Sequence, residues 1–244
     1  MFNVRSVSFA YSPDSANVFS DVSFCLSPGG GRICVLGPSG IGKTTLIALL
    51  GLLAGTKFSG QISYQLRDGT TLDFGCIAPD EIERLRRTEF GFALQNSYLL
   101  PHLTVLDNLV MPLGLNGFSE ADRRSRGLEL LSLMSDLEER WNSPVDKLSG
   151  GQKQRVAVLR SVIHHPRVLF ADEPFSALDD ENRRLILDVL MKWQSKDLPG
   201  QQKNGDNLLF LVCHDEDVAN EYATSFLRMD GSGVCLTEKG STVT

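Results

Sequence analysis

The glycine-rich stretch Gly37-Pro-Ser-Gly-Ile-Gly-Lys-Thr44 decides the fold of this chain. It fits the pattern G-x-x-x-x-G-K-[ST], a loop that follows a strand and opens a helix. The segment Arg32–Leu36 is predicted to be that strand, and Lys43–Leu53 to be a buried helix. Glycines let backbone N–H groups curl around phosphate oxygens, and the positive end of the helix points at the same anion. The stretch therefore predicts a nucleotide-binding P-loop.

Each side chain at the end of this loop has an expected role. The ammonium of Lys43 should contact the β- and γ-phosphates, and the hydroxyl of Thr44 should be a ligand of Mg²⁺. ATP and Mg²⁺ are therefore the expected cofactors. The predicted nucleotide-binding residues of the loop are Gly37, Pro38, Ser39, Gly40, Ile41, Gly42, Lys43, Thr44 and Thr45.

A second segment, Val168–Glu173, supplies carboxylates. Val168–Ala171 are all apolar and predict a buried strand, so Asp172 emerges at its carboxyl end, where open α/β sheets bind ligands. Asp172 is therefore predicted to hold Mg²⁺ through water. Glu173 is the next residue, and we expect it to be the catalytic base that polarises a water for in-line attack on the γ-phosphate.

Alternating strands and helices predict the fold class, an α/β P-loop core with a mainly parallel sheet. Phe2–Phe9 and Val18–Leu26 alternate apolar and polar residues, which indicates half-buried antiparallel strands at one edge. Residues 96–165 have helical character, with two predicted capping boxes that open helices at Thr104-x-x-Asp107 and Ser119-x-x-Asp122. We therefore predict one domain, residues 1–244, whose core of 1–95 and 166–244 carries an inserted helical subdomain at about 96–165.

Composition narrows the function classes. The chain of 244 residues is 42% hydrophobic and has a net charge of −6, which argues against nucleic acid as a partner. Its five cysteines show no C-x-x-C spacing, which favours free thiols in a reducing compartment. There is no signal-peptide pattern, and the longest apolar stretch, Leu46–Gly55, is too short to span a membrane. We expect a cytoplasmic protein that reaches the membrane through a partner.

The pentapeptide Leu148-Ser-Gly-Gly-Gln152 resembles the signature of the ABC ATPases. A serine hydroxyl and glycine N–H groups at a helix N-terminus form a phosphate site. In that family the signature cannot reach the P-loop of its own chain. The resemblance therefore implies a head-to-tail dimer, a homo- or heterodimer, in which each signature caps the ATP of the other subunit. The signature residues expected to contact that ATP are Ser149, Gly150, Gly151 and Gln152.

Four further elements match the same family. Gln95 resembles the Q-loop glutamine, which contacts Mg²⁺ or the attacking water, and His214 resembles the switch histidine, which contacts the γ-phosphate and orients Glu173. Ser176-Ala-Leu-Asp179 resembles the D-loop, and the resemblance implies that Asp179 acts at the dimer interface. Tyr11 stands where the family stacks an aromatic ring on adenine. The resemblance covers essentially the whole chain.

A narrower resemblance concerns the segment after Gln95. Gln95–Asn108, followed by Met111-Pro-Leu113, is similar to the lipoprotein-release, macrolide-export and cell-division ATPases, whose membrane partners transmit force. Glu173–Asp179 is more similar to solute importers, and Cys213 stands where that narrower group usually has Thr. The segment Asn96–Leu115 carries more apolar groups than one buried helix face requires. We therefore expect an integral membrane subunit of the permease type to dock there.

These observations leave two functional hypotheses open. The first is the ATP-hydrolysing subunit of an ABC transporter, peripheral on the cytoplasmic face of the membrane. The alternative is a regulatory ABC ATPase that controls a membrane-anchored enzyme of the cell-wall hydrolase type and moves no solute. A soluble ABC ATPase of DNA repair or translation is disfavoured, because the chain has one ATPase domain, no coiled-coil insertion and a negative charge.

Overall fold

The structure, a computed structural model, describes most of the chain in two compact units. One unit comprises Met1–Arg86 and Leu208–Thr244, and the other comprises Arg87–Asn207. The described residues are 1–26, 30–175, 178–203, 206–231 and 233–239.

Strands and helices alternate along most of the chain. The strands are β1 (Phe2–Phe9), β2 (Phe19–Cys25), β3 (Gly31–Leu36), β4 (Ser59–Gln65), β5 (Thr71–Asp73), β6 (Phe90–Ala93), β7 (Val168–Asp172), β8 (Leu208–Val212), β9 (Ser225–Asp230) and β10 (Gly233–Glu238). The helices are α1 (Lys43–Leu50), α2 (Pro79–Thr88), α3 (Val105–Leu115), α4 (Glu120–Leu131), α5 (Ser135–Glu138), α6 (Gly150–Val162), α7 (Asp180–Ser195) and α8 (Glu216–Tyr222), with a 3₁₀ turn at Val145–Lys147.

The first unit contains the predicted antiparallel sheet, with strand order β2-β1-β4-β5. Val4 of β1 lies opposite Phe24 of β2 and Ile62 of β4. Alternation places Phe2 and Val4 in the core, because successive side chains of a strand point to opposite faces, and beyond an irregularity in the register Val7 and Phe9 are buried in the same way. A register shift follows Arg5, and there Gly60 approaches so closely that a Cβ would lie 2.3 Å from the Ser6 carbonyl oxygen.

A second sheet in the same unit positions the glycine-rich loop. Its strands lie in the order β10-β9-β3-β8, with β3 parallel to both β8 and β9. Val35 of β3 is in register with Val212 of β8, and every residue of β8 is buried, as expected for a parallel strand covered on both faces. The carboxyl ends of β3 and β8 therefore lie side by side. The predicted helix after the loop is present but ends at Leu50, before Leu53.

The second unit combines one parallel strand pair with most of the helices. Phe90 of β6 is in register with Val168 of β7, and Ala93 with Ala171. Helix α3 packs against α4 and α6. The contact with α4 is close at Gly127, where a Cβ would lie 2.5 Å from side-chain atoms of Leu106 and Val110. Each helix in the described part of the chain is too short or too polar to span a lipid bilayer.

The two predicted helix caps differ in completeness. Thr104 opens α3 with the full reciprocal capping box, in which its hydroxyl accepts from the Asp107 N–H and the Asp107 carboxylate accepts from the Thr104 N–H. Ser119 opens α4 and accepts from the Asp122 N–H, but it donates its own hydroxyl to the Asp122 carboxylate at 2.7 Å. The prediction of a capping box at Ser119 is therefore only half right, since the return bond goes to a side chain rather than to the backbone.

Candidate functional site

The loop between β3 and α1 requires glycine at particular positions. Gly37, Gly40 and Gly42 have φ values of 150°, 78° and 103°, a region that residues with a Cβ rarely adopt. At Gly37 a Cβ would also lie 2.3 Å from the Met229 carbonyl oxygen of β9, and at Gly42 it would lie 2.8 Å from Val18. The sequence pattern therefore reflects two constraints, the turn of the loop and its close packing on neighbouring strands.

Lys43 folds back over this loop. Its ammonium donates to the carbonyl oxygens of Gly37 at 2.8 Å and Pro38 at 2.9 Å, and the residue is only 6% exposed. An ammonium group has three N–H donors. Two of them hold the lysine against the loop, so the third is the donor left for an anion in the cradle.

The two threonines after Lys43 have different surroundings. Thr44 is exposed, whereas Thr45 is buried and its hydroxyl lies 2.9 Å from the hydroxyl of Tyr11. Tyr11 is 69% exposed, and its ring packs edge-on against Phe9 at 5.2 Å between centroids. Tyr11 is thus tied at its hydroxyl to the start of α1, while much of its surface stays available for stacking on a flat ligand.

His214 is in the same unit as the loop. It follows β8 after the buried Cys213 and is itself exposed. Because β8 runs parallel to β3, His214 and the loop leave the sheet at the same edge. This is the edge at which open α/β sheets bind ligands.

The second unit carries the predicted carboxylates. Asp172 ends β7 and is only 4% exposed. Glu173 follows with a φ of 47°, a left-handed conformation that is uncommon for residues other than glycine and concentrates at functional sites. Since Ala93 of β6 is in register with Ala171 of β7, the exposed Gln95 leaves the pair at the same edge as Asp172 and Glu173.

The signature segment forms the N-terminus of α6. Ser149 is the N-cap residue, its hydroxyl accepts from the Gln152 N–H at 3.2 Å, and the Gln152 side-chain oxygen accepts from the Ser149 N–H at 3.1 Å. A Cβ built on Gly150 meets no atom within 4 Å, so this face of the helix end is open. The first N–H groups of a helix have no acceptor within it, which makes such an end suitable for an anion.

The D-loop prediction falls only partly on described residues, because Ser176 and Ala177 lie outside them. Asp179 is the N-cap residue of α7 and accepts from the Asn182 N–H at 2.8 Å. This bond and the Asn182 side-chain amide hold the pKa of Asp179 below its ordinary value. Its segment lies close to the signature, since a Cβ on Gly151 would be 3.3 Å from Leu178.

Three polar residues that the sequence analysis missed connect α6 to its surroundings. Gln154 donates to the Leu94 carbonyl at 3.2 Å, beside Gln95. Arg160 donates to the carbonyls of Ser97 at 2.7 Å and Tyr98 at 3.0 Å. Burial lowers the pKa of Arg160. The third residue, Arg155, pairs with Asp136. Their signal in the sequence was the occurrence of long polar side chains next to the apolar run Val156–Leu159 of this helix.

The predicted site residues thus form two groups. The first unit brings together the P-loop, Tyr11 and His214. The second unit brings Gln95 beside Asp172 and Glu173, and it also carries the signature and Asp179. The fold and the glycine-rich loop define the class of protein, a P-loop nucleoside triphosphatase.

Comparison with known proteins identifies the family. Residues 19–176 match the family described as ABC transporter. The macrolide export ATP-binding/permease protein MacB of Burkholderia pseudomallei is 36% identical over 202 residues, which are 83% of this chain and 28% of that protein. The lipoprotein-releasing system ATP-binding protein LolD of Bacteroides thetaiotaomicron is 34% identical over 203 residues, 83% of this chain and 86% of that protein. The chain belongs to the ABC transporter family.

Solved structures agree with this assignment. The ATP-binding cassette MJ0796, solved as a dimer in a post-hydrolysis state with ADP and Pi, matches with a TM-score of 0.82 and 26% identity over 99% of this chain and all of that one. A second dimeric structure of MJ0796, described as a bacterial ABC transporter cassette, matches with the same TM-score and 27% identity. The chain is therefore an ATP-binding ABC ATPase, and the resemblance to the macrolide-export and lipoprotein-release group is confirmed. This chain spans about 28% of the length of the MacB relative.

Proposed function

We propose that this chain is the ATP-hydrolysing subunit of a transporter in which two ABC ATPase chains close head to tail on ATP and drive a separate membrane subunit. The observation that carries the proposal is the open N-terminus of α6, because a capped signature with exposed Ser149 and Gly150 offers a second anion site besides the glycine-rich loop. A second subunit would bring its ATP to this end.

The proposed nucleotide contacts follow from the two groups of residues. Lys43 keeps one N–H for the β- and γ-phosphates, and Tyr11 offers its ring to the adenine. The signature residues Ser149–Gln152 would receive the γ-phosphate of the other subunit's ATP, with Asp179 at the same interface. In these roles the β- and γ-phosphates would lie opposite an N–H donor, a hydroxyl or a helix N-terminus.

Mg²⁺ fits the donor set that the residues provide. Oxygen ligands suit this ion, which is usually held by one or two protein groups together with substrate phosphates. Thr44, Asp172 and Gln95 would supply such oxygens. Among the described residues no cluster of three or more His, Cys, Asp or Glu forms a protein-only cage. When bound, the ion would neutralise charge on the phosphates.

For the chemical step, Glu173 would accept the proton of the attacking water. Its left-handed backbone sets the direction of the side chain as it leaves β7, one residue after the buried Asp172. His214, exposed at its own strand end, would contact the γ-phosphate and orient Glu173. Gln95 would report the state of the γ-phosphate to the segment that follows it.

The membrane subunit is proposed to dock on the segment Asn96–Leu115. Tyr98 is 66% exposed and Leu100 is 46% exposed, whereas Leu106 and Leu109 of α3 are buried. The Arg160 guanidinium donates to the backbone carbonyls of Ser97 and Tyr98 and so holds the loop that carries Tyr98. A fixed, exposed aromatic beside Gln95 suits an amphipathic helix of a partner, whose apolar anchors it would bury. Docking there would place the chain on the cytoplasmic face of the membrane.

The test substitutes a charge at the docking segment. Tyr98→Glu should abolish co-purification with the membrane subunit and its stimulation of ATP hydrolysis, while the thermal melt and nucleotide binding of the isolated chain stay unchanged. Leu53→Glu, a charge at a 42% exposed leucine outside this segment, is the matched control. Wild-type association by a well-folded Tyr98→Glu chain would contradict the docking site. A co-purifying cell-wall hydrolase system without solute movement would instead support the regulatory alternative.

A further inference from the structure

A carboxylate outside the signature contacts the signature glutamine. Asp136, on the short helix α5, accepts from the Gln152 side-chain nitrogen at 3.1 Å. The oxygen of the same amide accepts from the Ser149 N–H at 3.1 Å. Since the two ends of an amide are a donor and an acceptor, a carboxylate on one side directs the oxygen to the other. Asp136 therefore selects the amide orientation that the capping box of Ser149 needs.

Asp136 is in turn held by Arg155, which lies one turn further along α6 than Gln152. Both terminal nitrogens of Arg155 donate to its two oxygens at 2.7 Å, a bidentate pair. The Arg155 side chain is 6% exposed and that of Asp136 is 44% exposed. The Arg155 hydrogen bonds, followed by that of Gln152, hold the pKa of Asp136 below its ordinary value, so the group is a carboxylate at neutral pH. The chain of contacts runs from Arg155 through Asp136 and Gln152 to Ser149.

The capping box determines which donors at the N-terminus of α6 remain for a ligand. The capping box occupies the N–H groups of Ser149 and Gln152. The N–H groups of Gly150 and Gly151, together with the proton of the Ser149 hydroxyl, are then the donors directed at an incoming anion. If the Gln152 amide turned over, its nitrogen would face the Ser149 N–H, the box would open, and Ser149 could rotate away.

We infer that Asp136 is a positioning residue for the signature, which holds Ser149 and Gln152 ready for the phosphate of the second subunit's ATP. This inference rests on the proposed head-to-tail function of the signature. It assigns to α5 a role in nucleotide-driven dimerisation, exerted through Gln152 and without contact with the nucleotide.

The experiment compares Asp136→Asn with the matched control Glu138→Gln, which changes an exposed carboxylate on the same helix. Turnover of ATP is measured against protein concentration, and ATP binding to the dilute chain is measured with a fluorescent analogue. For Asp136→Asn we expect the concentration for half-maximal turnover to rise by about fivefold, the scale of one lost helix-cap contact. ATP binding to the dilute chain should not change, and Glu138→Gln should behave as wild type.

A double variant separates positioning from a general structural role. Ser149→Ala alone should also raise the half-maximal concentration, and adding Asp136→Asn to it should cause no further rise, because both act on the same contact. Additive effects of the two substitutions on the half-maximal concentration would overturn this inference but not the proposed function. The same holds if an Asp136→Asn chain with a normal thermal melt shows wild-type turnover. An unchanged Ser149→Ala chain would overturn the proposed function as well.

A second variant covers the case in which Asp136→Asn does not fold. Gln152→Leu leaves the ion pair between Asp136 and Arg155 intact and removes the link to Ser149. It should show the same rise in half-maximal concentration. Wild-type concentration dependence in a folded Gln152→Leu chain would overturn the inference.

Discussion

The ammonium of Lys43 lies 2.8 Å from the carbonyl oxygen of Gly37, the first residue of the loop that Lys43 itself ends. The lysine is therefore positioned before any ligand arrives. Because its charge is held by neutral carbonyls and is largely buried, a nucleotide phosphate would meet a cation that needs little rearrangement. This preorganisation makes the loop, more than any other element, the expected source of nucleotide affinity.

Lys43→Ala should remove most of the catalytic activity. The substitution deletes the charge proposed to contact the β- and γ-phosphates, and losing one such preorganised donor costs about 100-fold or more in turnover. Nucleotide binding, followed by fluorescence titration, should weaken strongly as well. Lys203→Ala, which removes a lysine whose side chain is 83% exposed, is the control. Unchanged turnover by Lys43→Ala would show that the loop assignment is wrong.

Glu173→Gln should separate binding from hydrolysis. The amide keeps the shape of the side chain but cannot accept the proton of water, so turnover should fall by about 100-fold or more. The chain should still bind Mg-ATP and accumulate as a closed dimer, detected by size-exclusion chromatography with light scattering, if necessary with the membrane partner present. Glu181→Gln, at an exposed position of α7, should leave turnover unchanged. Hydrolysis by Glu173→Gln at the wild-type rate would exclude Glu173 as the base.

Mixing two inactive chains tests the shared site. In a heterodimer of Lys43→Ala with Ser149→Arg, the head-to-tail arrangement places both lesions in one site and leaves the other site intact. The mixture should therefore recover activity that neither variant has alone. Heterodimer formation is checked with two different affinity tags. No recovery in a verified heterodimer would contradict the trans arrangement or the independence of the two sites.

The buried His164 should make the free energy of unfolding depend on pH. Burial lowers its pKa from 6.5 to about 4, while its Nε2 lies 3.0 Å from the Phe90 carbonyl oxygen. The unfolded chain therefore binds a proton between these values that the folded chain does not, so stability is full above pH 6.5 and falls as the pH drops towards 4. Between pH 7 and 5 the contribution of His164 to the free energy of unfolding should fall by about 2 kcal/mol.

Urea unfolding at the two pH values measures this effect. His164→Gln keeps a donor for the Phe90 carbonyl and removes the titration, so its stability should fall less than that of the wild type. His102→Gln, at an exposed histidine, should retain the full wild-type pH dependence. Equal losses in His164→Gln and the wild type would mean that His164 is protonated in the folded chain.

Much of the fold could be predicted because it depends on local pattern. The apolar run Val168–Ala171 and the alternation in Phe2–Phe9 predict strands from the pattern of apolar residues alone, and both are strands in the structure. Thr104 and Asp107 predict a helix start, since a capping box is made within four successive residues. The sequence was less informative where two donors of one helix turn compete for the same carboxylate. It predicted a capping box at Ser119, but the Asp122 carboxylate bonds the hydroxyl instead of the backbone.

By itself, the sequence determined the family, the P-loop and the candidate residues at the strand ends, because glycine positions and strand-terminal carboxylates are dictated by backbone geometry close by along the chain. Only the tertiary structure decided which polar groups meet across long separations. Asp136 reaches Gln152 and Arg155, and Arg160 reaches the Ser97 carbonyl, through the packing of helices and loops whose relative placement no local pattern encodes. A buried polar side chain must find a partner, but the sequence does not show which one.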